Sequence, residues 1–263
     1  MTTPMANLSA EQIQNMAQQL HEAQRTQTPI AQLSLQQTFH IDDAYAIQKQ
    51  LIQNRINEGE KLIGLKMGFT SEAKMQQMGV HDLIWGRLTD AMTIENHGQT
   101  LRNEYIHPRV EPEICFRICA DINDELDENQ VIDFVDGISC AIELIDSRYQ
   151  NFKFSLEDVI ADNCSSAGYV LGDWMPVTPN LNNLNMELKI NNQIIAAGSS
   201  NDIMNNPWKS LAAATRLAKQ YGEPIKKGMI ILAGAATNAE FLQAEQSAAA
   251  IVQNYGQADC YMK

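Results

Sequence analysis

The hydrophobic period of the chain changes near residue 60. Before that point apolar residues recur every three or four positions, which is typical of helices with one buried face. From Lys61 onward they alternate with small or polar residues, and this period of two is typical of strands. The change predicts a helical N-terminal subdomain over residues 1–60 and a mixed β domain over residues 61–263.

Two helices are predicted in the N-terminal part. Ser9 begins a capping box and is followed by apolar residues at helical spacing, so a helix is expected over residues 9–25. Asp42 or Asp43 is expected to cap a second helix, which Gly59 ends.

Beyond residue 60, strands and single helices follow each other at irregular intervals, without internal repeats. This order predicts an α+β fold with a curved mixed sheet rather than a regular doubly wound sheet. Pro112 cannot donate a backbone hydrogen bond, so its strand is expected to be an edge strand or a bulged strand. Strands are predicted from 61 and over 109–118, 137–146, 184–190, 194–197, 229–233 and 247–262, and helices over 71–78, 155–160 and 207–221.

The composition excludes several classes of protein. The 263 residues carry a net charge of −13, which would repel nucleic acid and anionic lipid. The apolar run over 229–236 is too short to span a bilayer, and the polar N-terminus lacks the order of a signal peptide. The five scattered cysteines favour reduced, buried thiols over a disulfide framework. We therefore expect a cytoplasmic protein that binds neither nucleic acid nor membranes.

Three glutamates are the main candidates for chemistry. Glu111 and Glu113 lie two apart on a predicted strand, so their carboxylates project from one face. Glu143 lies within an apolar strand, where a carboxylate is costly to bury without a cation. If the three converge, they would select magnesium or manganese. The alternative is a solvated pair of glutamates, with Glu143 paired to an arginine.

Lys66 is the next candidate, because Gly64 and Gly68 flank it on the same strand face. The missing side chains would leave space for a ligand, and the ammonium group could hold a substrate carboxylate or relay a proton. A strand lysine that reaches solvent is the alternative.

Short polar residues cluster at Asp162, Asn163, Ser165 and Ser166. They could bind an anion, and ordinary loop capping explains them equally well. The serines lack the G-x-S-x-G context of a nucleophile elbow, and the chain has no glycine-rich nucleotide-binding motif, so hydrolase triads and nucleotide binding are disfavoured.

Five segments together resemble the hydratase/decarboxylase family of meta-cleavage pathways, distant relatives of fumarylacetoacetate hydrolase. The resemblance runs over most of residues 60–240, and the C-terminal segment departs from the family pattern. It implies a curved mixed-sheet core like the C-terminal fold of fumarylacetoacetate hydrolase. The segments are GLKMGFTSEAKMQQMGV (64–80), IHPRVEPEICF (106–116), ELIDSRYQNFKF (143–154), ADNCSSAGYVLG (161–172) and ILAGAATNA (231–239).

The resemblance also implies roles for single residues. It makes Glu111, Glu113 and Glu143 the ligands of magnesium or manganese, with no organic cofactor, and Lys66 the active-site lysine. The residues that it places beside the substrate are Leu65, Arg148, Ser165 and Ser166.

Short sequence segments, such as DSRYQNFKF and AGAAT, resemble the decarboxylase branch of the family. That branch releases carbon dioxide from 2-oxohex-3-enedioate, a dicarboxylate, to give 2-hydroxypenta-2,4-dienoate. Two alternatives remain open. One is a hydratase, for which Asp82 is the nearest candidate base. The other is a non-catalytic subunit that stabilises a partner hydratase; association with a hydratase or with further copies of the chain is expected in either branch.

Overall fold

The computed structural model describes residues 8–70 and 83–263. Most of the predicted helices are present: the capping box of Ser9 begins the first, Ala10–Arg25, and left-handed Gly222 ends the last, Pro207–Tyr221. The predicted helix over 71–78 and the candidate base Asp82 lie outside the described residues. The helices are α1 Ala10–Arg25, α2 Ile41–Asn57, α3 Leu156–Ala161 and α4 Pro207–Tyr221.

The strands form two mixed sheets in the described part of the chain. One has eight strands, in the order β2-β1-β10-β5-β6-β7-β3 with β11 beside β5, and the other has five, in the order β4-β13-β12-β8-β9. The strands are β1 Leu62–Gly68, β2 Ile84–Thr89, β3 Thr93–Ile94, β4 Gly98–Thr100, β5 Arg109–Ile118, β6 Val135–Ile145, β7 Ser166–Leu171, β8 Asn185–Ile190, β9 Gln193–Ser199, β10 Ile230–Ala235, β11 Glu240–Phe241, β12 Gln246–Val252 and β13 Gly256–Met262.

The two sheets pack face to face, with β12 and β13 of the smaller sheet against β5 and β6 of the larger one. Apolar side chains from both sheets and from α1 and α2 share one hydrophobic core. This arrangement confirms the predicted α+β class, while the division into domains at residue 60 stays a prediction. The five cysteines carry free thiols. In the described ranges no helix has the length and apolar character needed to cross a membrane.

The prediction of an edge position for the strand of Pro112 is wrong. β5 is an inner strand with β10 on one side and β6 on the other. The irregularity lies in the neighbouring strand β10, whose register against β5 shifts between Leu232 and Ala235. The carbonyl of Pro112 accepts a hydrogen bond from the Ala236 N–H at 3.2 Å, so the proline is accommodated beside a bulge.

The capping prediction for α2 needs a similar correction. The helix begins after His40, and Asp43 lies inside its first turn. From there the Asp43 carboxylate accepts hydrogen bonds from the N–H groups of His40 and Leu8, each at 3.0 Å. Asp43 therefore stabilises the start of α2 and ties the segment before α1 to it.

We expect Asp43→Ala to lower the free energy of unfolding by about 1–3 kcal/mol, because the buried N–H of Leu8 and the partly buried N–H of His40 lose their acceptor. Asp42→Ala is the matched control, since this neighbour lies in the same turn and accepts only from the Tyr221 hydroxyl at 3.4 Å, among the contacts described. Urea denaturation of both variants measures the difference. Equal losses for the two variants would contradict the role given to Asp43.

Candidate active site and metal centre

The register between β5 and β6 brings the three glutamates together. The strands are antiparallel, Glu111 lies directly opposite Glu143, and Glu113 follows two positions along the same face. All three side chains are buried, and one carboxylate oxygen from each lies within 4.8 Å of the others. The structure thus replaces the alternative of a solvated strand face with a closed cluster of carboxylates.

Lys66 on β1 reaches the same cluster. Its Nζ lies 2.8 Å from Oε2 of Glu143 and donates a hydrogen bond to the carbonyl of Cys164 at 3.3 Å. The partner of Glu143 is therefore a lysine and not the arginine of the alternative. The open space predicted beside Lys66 is present at Gly68, which lines a cavity. It is absent at Gly64, where a Cβ would lie 2.2 Å from a backbone oxygen of β10.

The electrostatics of this cluster are unfavourable without a further cation. Burial raises the pKa of Glu113 well above its usual range, and the neighbouring carboxylates of Glu143 and Glu111 raise it further. Burial also raises the pKa of Glu143 to about 7, although Lys66 opposes the shift. Burial is the largest single influence on Lys66 and disfavours its charge, but the combined attraction of Glu143, Cys164, Glu111 and Glu113 outweighs burial, so the pKa of Lys66 lies above its usual value.

Several carboxylate oxygens of the cluster lack hydrogen bonds. Oε1 of Glu113 and both oxygens of Glu143 are buried and have no hydrogen-bond partner of acceptable geometry within the described residues. The ion pair with Lys66 offsets one negative charge of three. An all-carboxylate set with unsatisfied oxygens suits a hard divalent cation such as magnesium or manganese.

The bulge of β10 orients one of these carboxylates. At the bulge, Gly234 takes the left-handed region, with φ at 105°, and its N–H donates to Oε2 of Glu113 at 2.7 Å. A Cβ on Gly234 would lie 2.2 Å from the hydroxyl oxygen of Thr70, so glycine is required there by both φ and space. A glycine inside a strand pattern is the signal by which the sequence marks such a bulge.

A cavity of about 450 Å³ opens beside the glutamates. Glu111 and Lys66 line it, and so does Ser165, one of the four residues predicted to contact substrate. The other three lie outside its lining: Leu65 packs in the hydrophobic core, and Ser166 and Arg148 are buried in the polar network behind it. The apolar part of the wall is formed by Ile84, Ile145, Phe152, Phe154 and Val159.

The structure gives Arg148 a role different from the predicted one. The residue is 1% exposed, and its guanidinium forms an ion pair with Asp162. It also donates to the carbonyl oxygens of Asp146 at 2.7 Å and Ser166 at 3.1 Å. Arg148 therefore joins the end of β6 to the turn before β7, and it acts on the cavity by holding these backbone segments in place.

Arg109 was missed as a site residue by the sequence argument. It begins β5, lines the cavity, and lies on the same strand face as Glu111. Its guanidinium lies between the rings of Phe152 and Phe241, at 4.3 and 4.1 Å from their centroids. The period of two along β5 was the available signal, because it places Arg109, Glu111 and Glu113 on one face.

Comparison with known proteins shows the family of this chain. The model of the fumarylacetoacetate (FAA) hydrolase C-terminal family matches residues 61–260. The chain belongs to this family.

Individual proteins are similar to this chain over most of its length. The chain is 44% identical to a 4-oxalocrotonate decarboxylase of a Pseudomonas species, over 93% of this chain and 95% of that protein. It is 33% identical to a 2-keto-4-pentenoate hydratase of Paraburkholderia xenovorans LB400, over 87% of this chain and 86% of that protein. Its structure resembles that of the 4-oxalocrotonate decarboxylase from Pseudomonas putida G7 complexed with magnesium and adipate, with a TM-score of 0.95, 29% identity, and coverage of 98% of this chain and 100% of that one.

We expect Arg148→Met to lower the free energy of unfolding by about 3–5 kcal/mol, because it leaves the buried Asp162 carboxylate without its cation. Lys226→Met removes an exposed ion pair with Asp121 and should change stability little. Urea midpoints of the two variants measure this contrast. A midpoint for Arg148→Met as high as that of the control would contradict a structural role for Arg148.

Proposed function

We propose that this protein is a metal-dependent decarboxylase that converts 2-oxohex-3-enedioate (4-oxalocrotonate) to 2-hydroxypenta-2,4-dienoate and carbon dioxide. The observation that carries the proposal is the buried cluster of Glu111, Glu113 and Glu143 beside Lys66, at the wall of a cavity. The similarity to proteins named as 4-oxalocrotonate decarboxylases supports the choice of reaction.

The three glutamates would hold magnesium or manganese, and no organic cofactor is part of the proposal. Their unsatisfied oxygens and their mutual repulsion fit a divalent cation better than a proton-filled cluster. When bound, the cation would ligate the 1-carboxylate and 2-oxo oxygens of the substrate and attract the negative charge that develops on the oxo oxygen.

The residues of the chain supply the remaining requirements. The product needs a proton on its 2-oxygen, and Nζ of Lys66 is a buried ammonium that can donate one there and recover it from solvent. The apolar wall, which includes Ile84, Phe154 and Val159, keeps the departing carboxyl group poorly hydrated. A carboxylate loses its charge as it becomes carbon dioxide, so weak hydration favours that step.

Hydration of 2-hydroxypenta-2,4-dienoate is the second candidate, because the chain is also 33% identical to a 2-keto-4-pentenoate hydratase. Both reactions would use the same carboxylate cluster, so the metal ligands do not distinguish them. A third candidate, a non-catalytic subunit of a hydratase complex, is disfavoured because a scaffold has no need of three buried like charges.

We also propose that the protein acts in the cytoplasm and associates with further copies or with the pathway hydratase. Its free thiols fit a reducing compartment. Strand β9 lies at the edge of the smaller sheet and exposes Ile194 and Ile195, which offers an uncharged surface for association.

The metal proposal predicts that magnesium or manganese raises the melting temperature of the purified protein. A ligand at one hundred times its Kd stabilises the folded state by about 2.7 kcal/mol. Glu111→Gln should remove most of this response, whereas Glu187→Gln, on strand β8, should keep it. A flat melting temperature across the titration, or an unchanged response in Glu111→Gln, would sink the assignment.

The reaction is tested by supplying each substrate separately with magnesium. We expect rapid release of carbon dioxide from 2-oxohex-3-enedioate and negligible addition of water to 2-hydroxypenta-2,4-dienoate. Lys66→Met ties the activity to this site and should lower kcat by roughly 10² to 10⁴. If the protein instead hydrates the dienol and leaves the dicarboxylate intact, it is a hydratase that retains the same metal centre.

A further inference from the structure

The Arg109 guanidinium packs against aromatic rings and has no hydrogen-bonded or ion-paired partner among the described residues, although the Glu240 carboxylate attracts it from beyond ion-pair distance. The rings of Phe152 and Phe241 pack against it, with their centroids 4.3 and 4.1 Å from its central carbon. Across the described ranges it forms no ion pair within 4 Å, and its Nε is buried without a hydrogen bond. Arginine presents five N–H donors in a rigid fork, and a buried donor without an acceptor is costly. Such a group is prepared for an acceptor that comes from outside the chain.

Arg109 lies on the same strand and beside the same cavity as Glu111 of the carboxylate cluster. Arg109 and Glu111 are two residues apart on β5, so their side chains leave the same face roughly 7 Å apart along the strand. Both side chains line the same cavity. A six-atom chain has the length of two extended residues, which is also roughly 7 Å. The spacing of Arg109 and Glu111 along the strand therefore matches the length of an extended six-carbon molecule.

The charges around the cavity point to the same ligand. Among the described residues that line it, the positive groups are Lys66 and Arg109. Lys66 is already paired with Glu143 at 2.8 Å, which leaves Arg109 to neutralise a second negative charge on a ligand. In a chain of net charge −13, a doubly charged anion needs such a group in order to bind.

We propose that Arg109, held between Phe152 and Phe241, binds the remote carboxylate of a six-carbon 2-oxo dicarboxylate through its guanidinium fork. The inference rests on the proposed function, since it takes the other end of the substrate to lie at the glutamate cluster. Arg109 would contribute to binding and not to bond cleavage, because the carboxylate loses its charge as carbon dioxide forms. Its removal should therefore raise KM and leave kcat unchanged or higher.

The test compares two ligands that differ in the remote group alone. Isothermal titration calorimetry in magnesium buffer measures the Kd of 2-oxohexanedioate, which ends in a carboxylate, and of 2-oxohexanoate, which ends in a methyl group. Arg109→Met should weaken binding of the dicarboxylate about tenfold to a hundredfold and change binding of the monocarboxylate less than about twofold. Arg109→Lys keeps the charge without the fork and should give an intermediate loss.

Arg117→Met is the matched control. Arg117 lies on the same strand and also covers an aromatic ring, that of Trp174 at 4.8 Å, but it is paired with Asp136 and lies outside the cavity lining. The Arg117→Met variant should bind both ligands with the same Kd as the wild type.

Two outcomes would overturn the inference. If Arg109→Met and Arg109→Lys bind the dicarboxylate as the wild type does, Arg109 is a structural residue. If they lose both ligands equally, Arg109 acts at the end of the ligand that the two compounds share. Failure of the proposed function would give a different result, because the wild-type protein would then not turn over 2-oxohex-3-enedioate at all.

Discussion

Antiparallel pairing of β5 with β6 places Glu111 directly against Glu143, and the rest of the site depends on this contact. Like charges opposite each other in a sheet are destabilising, and burial increases the repulsion. Three features of the fold offset it in part. Lys66 reaches across from β1, the bulge of β10 directs the Gly234 N–H at Glu113, and the cluster opens to a cavity that admits a cation. This arrangement supports the proposal that the carboxylates serve to bind a ligand rather than to stabilise the folded chain.

Local signals in the sequence predicted the elements that carry the site. Ser9 marks a helix start because its side chain accepts from a free N–H group of the first turn, and Gly222 marks a helix end because a left-handed residue lets its N–H bond to the last free carbonyl groups. The period of two located β5 and β6, and with them the shared face of Glu111 and Glu113. Convergence with Glu143 and Lys66 depends on strand order and register, which the pattern of a single strand does not contain. The family resemblance supplied that step.

The features that the sequence did not predict depend on long-range contacts. The position of β5 inside the sheet follows from the bulge in β10, more than 100 residues further along the chain. Arg148 was expected beside the substrate, yet it bonds to Asp162 and to backbone carbonyls behind the cavity. Strand β7 was missed because it begins after three left-handed residues, of which Ser165 is the last. Arg109 lines the cavity, and its contacts there are with Phe152 and Phe241, which are distant in sequence, so the pattern of β5 alone does not reveal its position.

If the glutamate cluster is a divalent metal site, an ion binds among its carboxylates, and the position of that ion can be measured. Crystals grown with manganese and measured at the manganese absorption edge would locate the ion by its anomalous scattering. We expect one strong peak in contact with carboxylate oxygens of Glu111, Glu113 and Glu143, and its loss when Glu143 is replaced by Gln. A cluster without a peak, in crystals of protein whose activity requires manganese, would show that the glutamates are not the metal site.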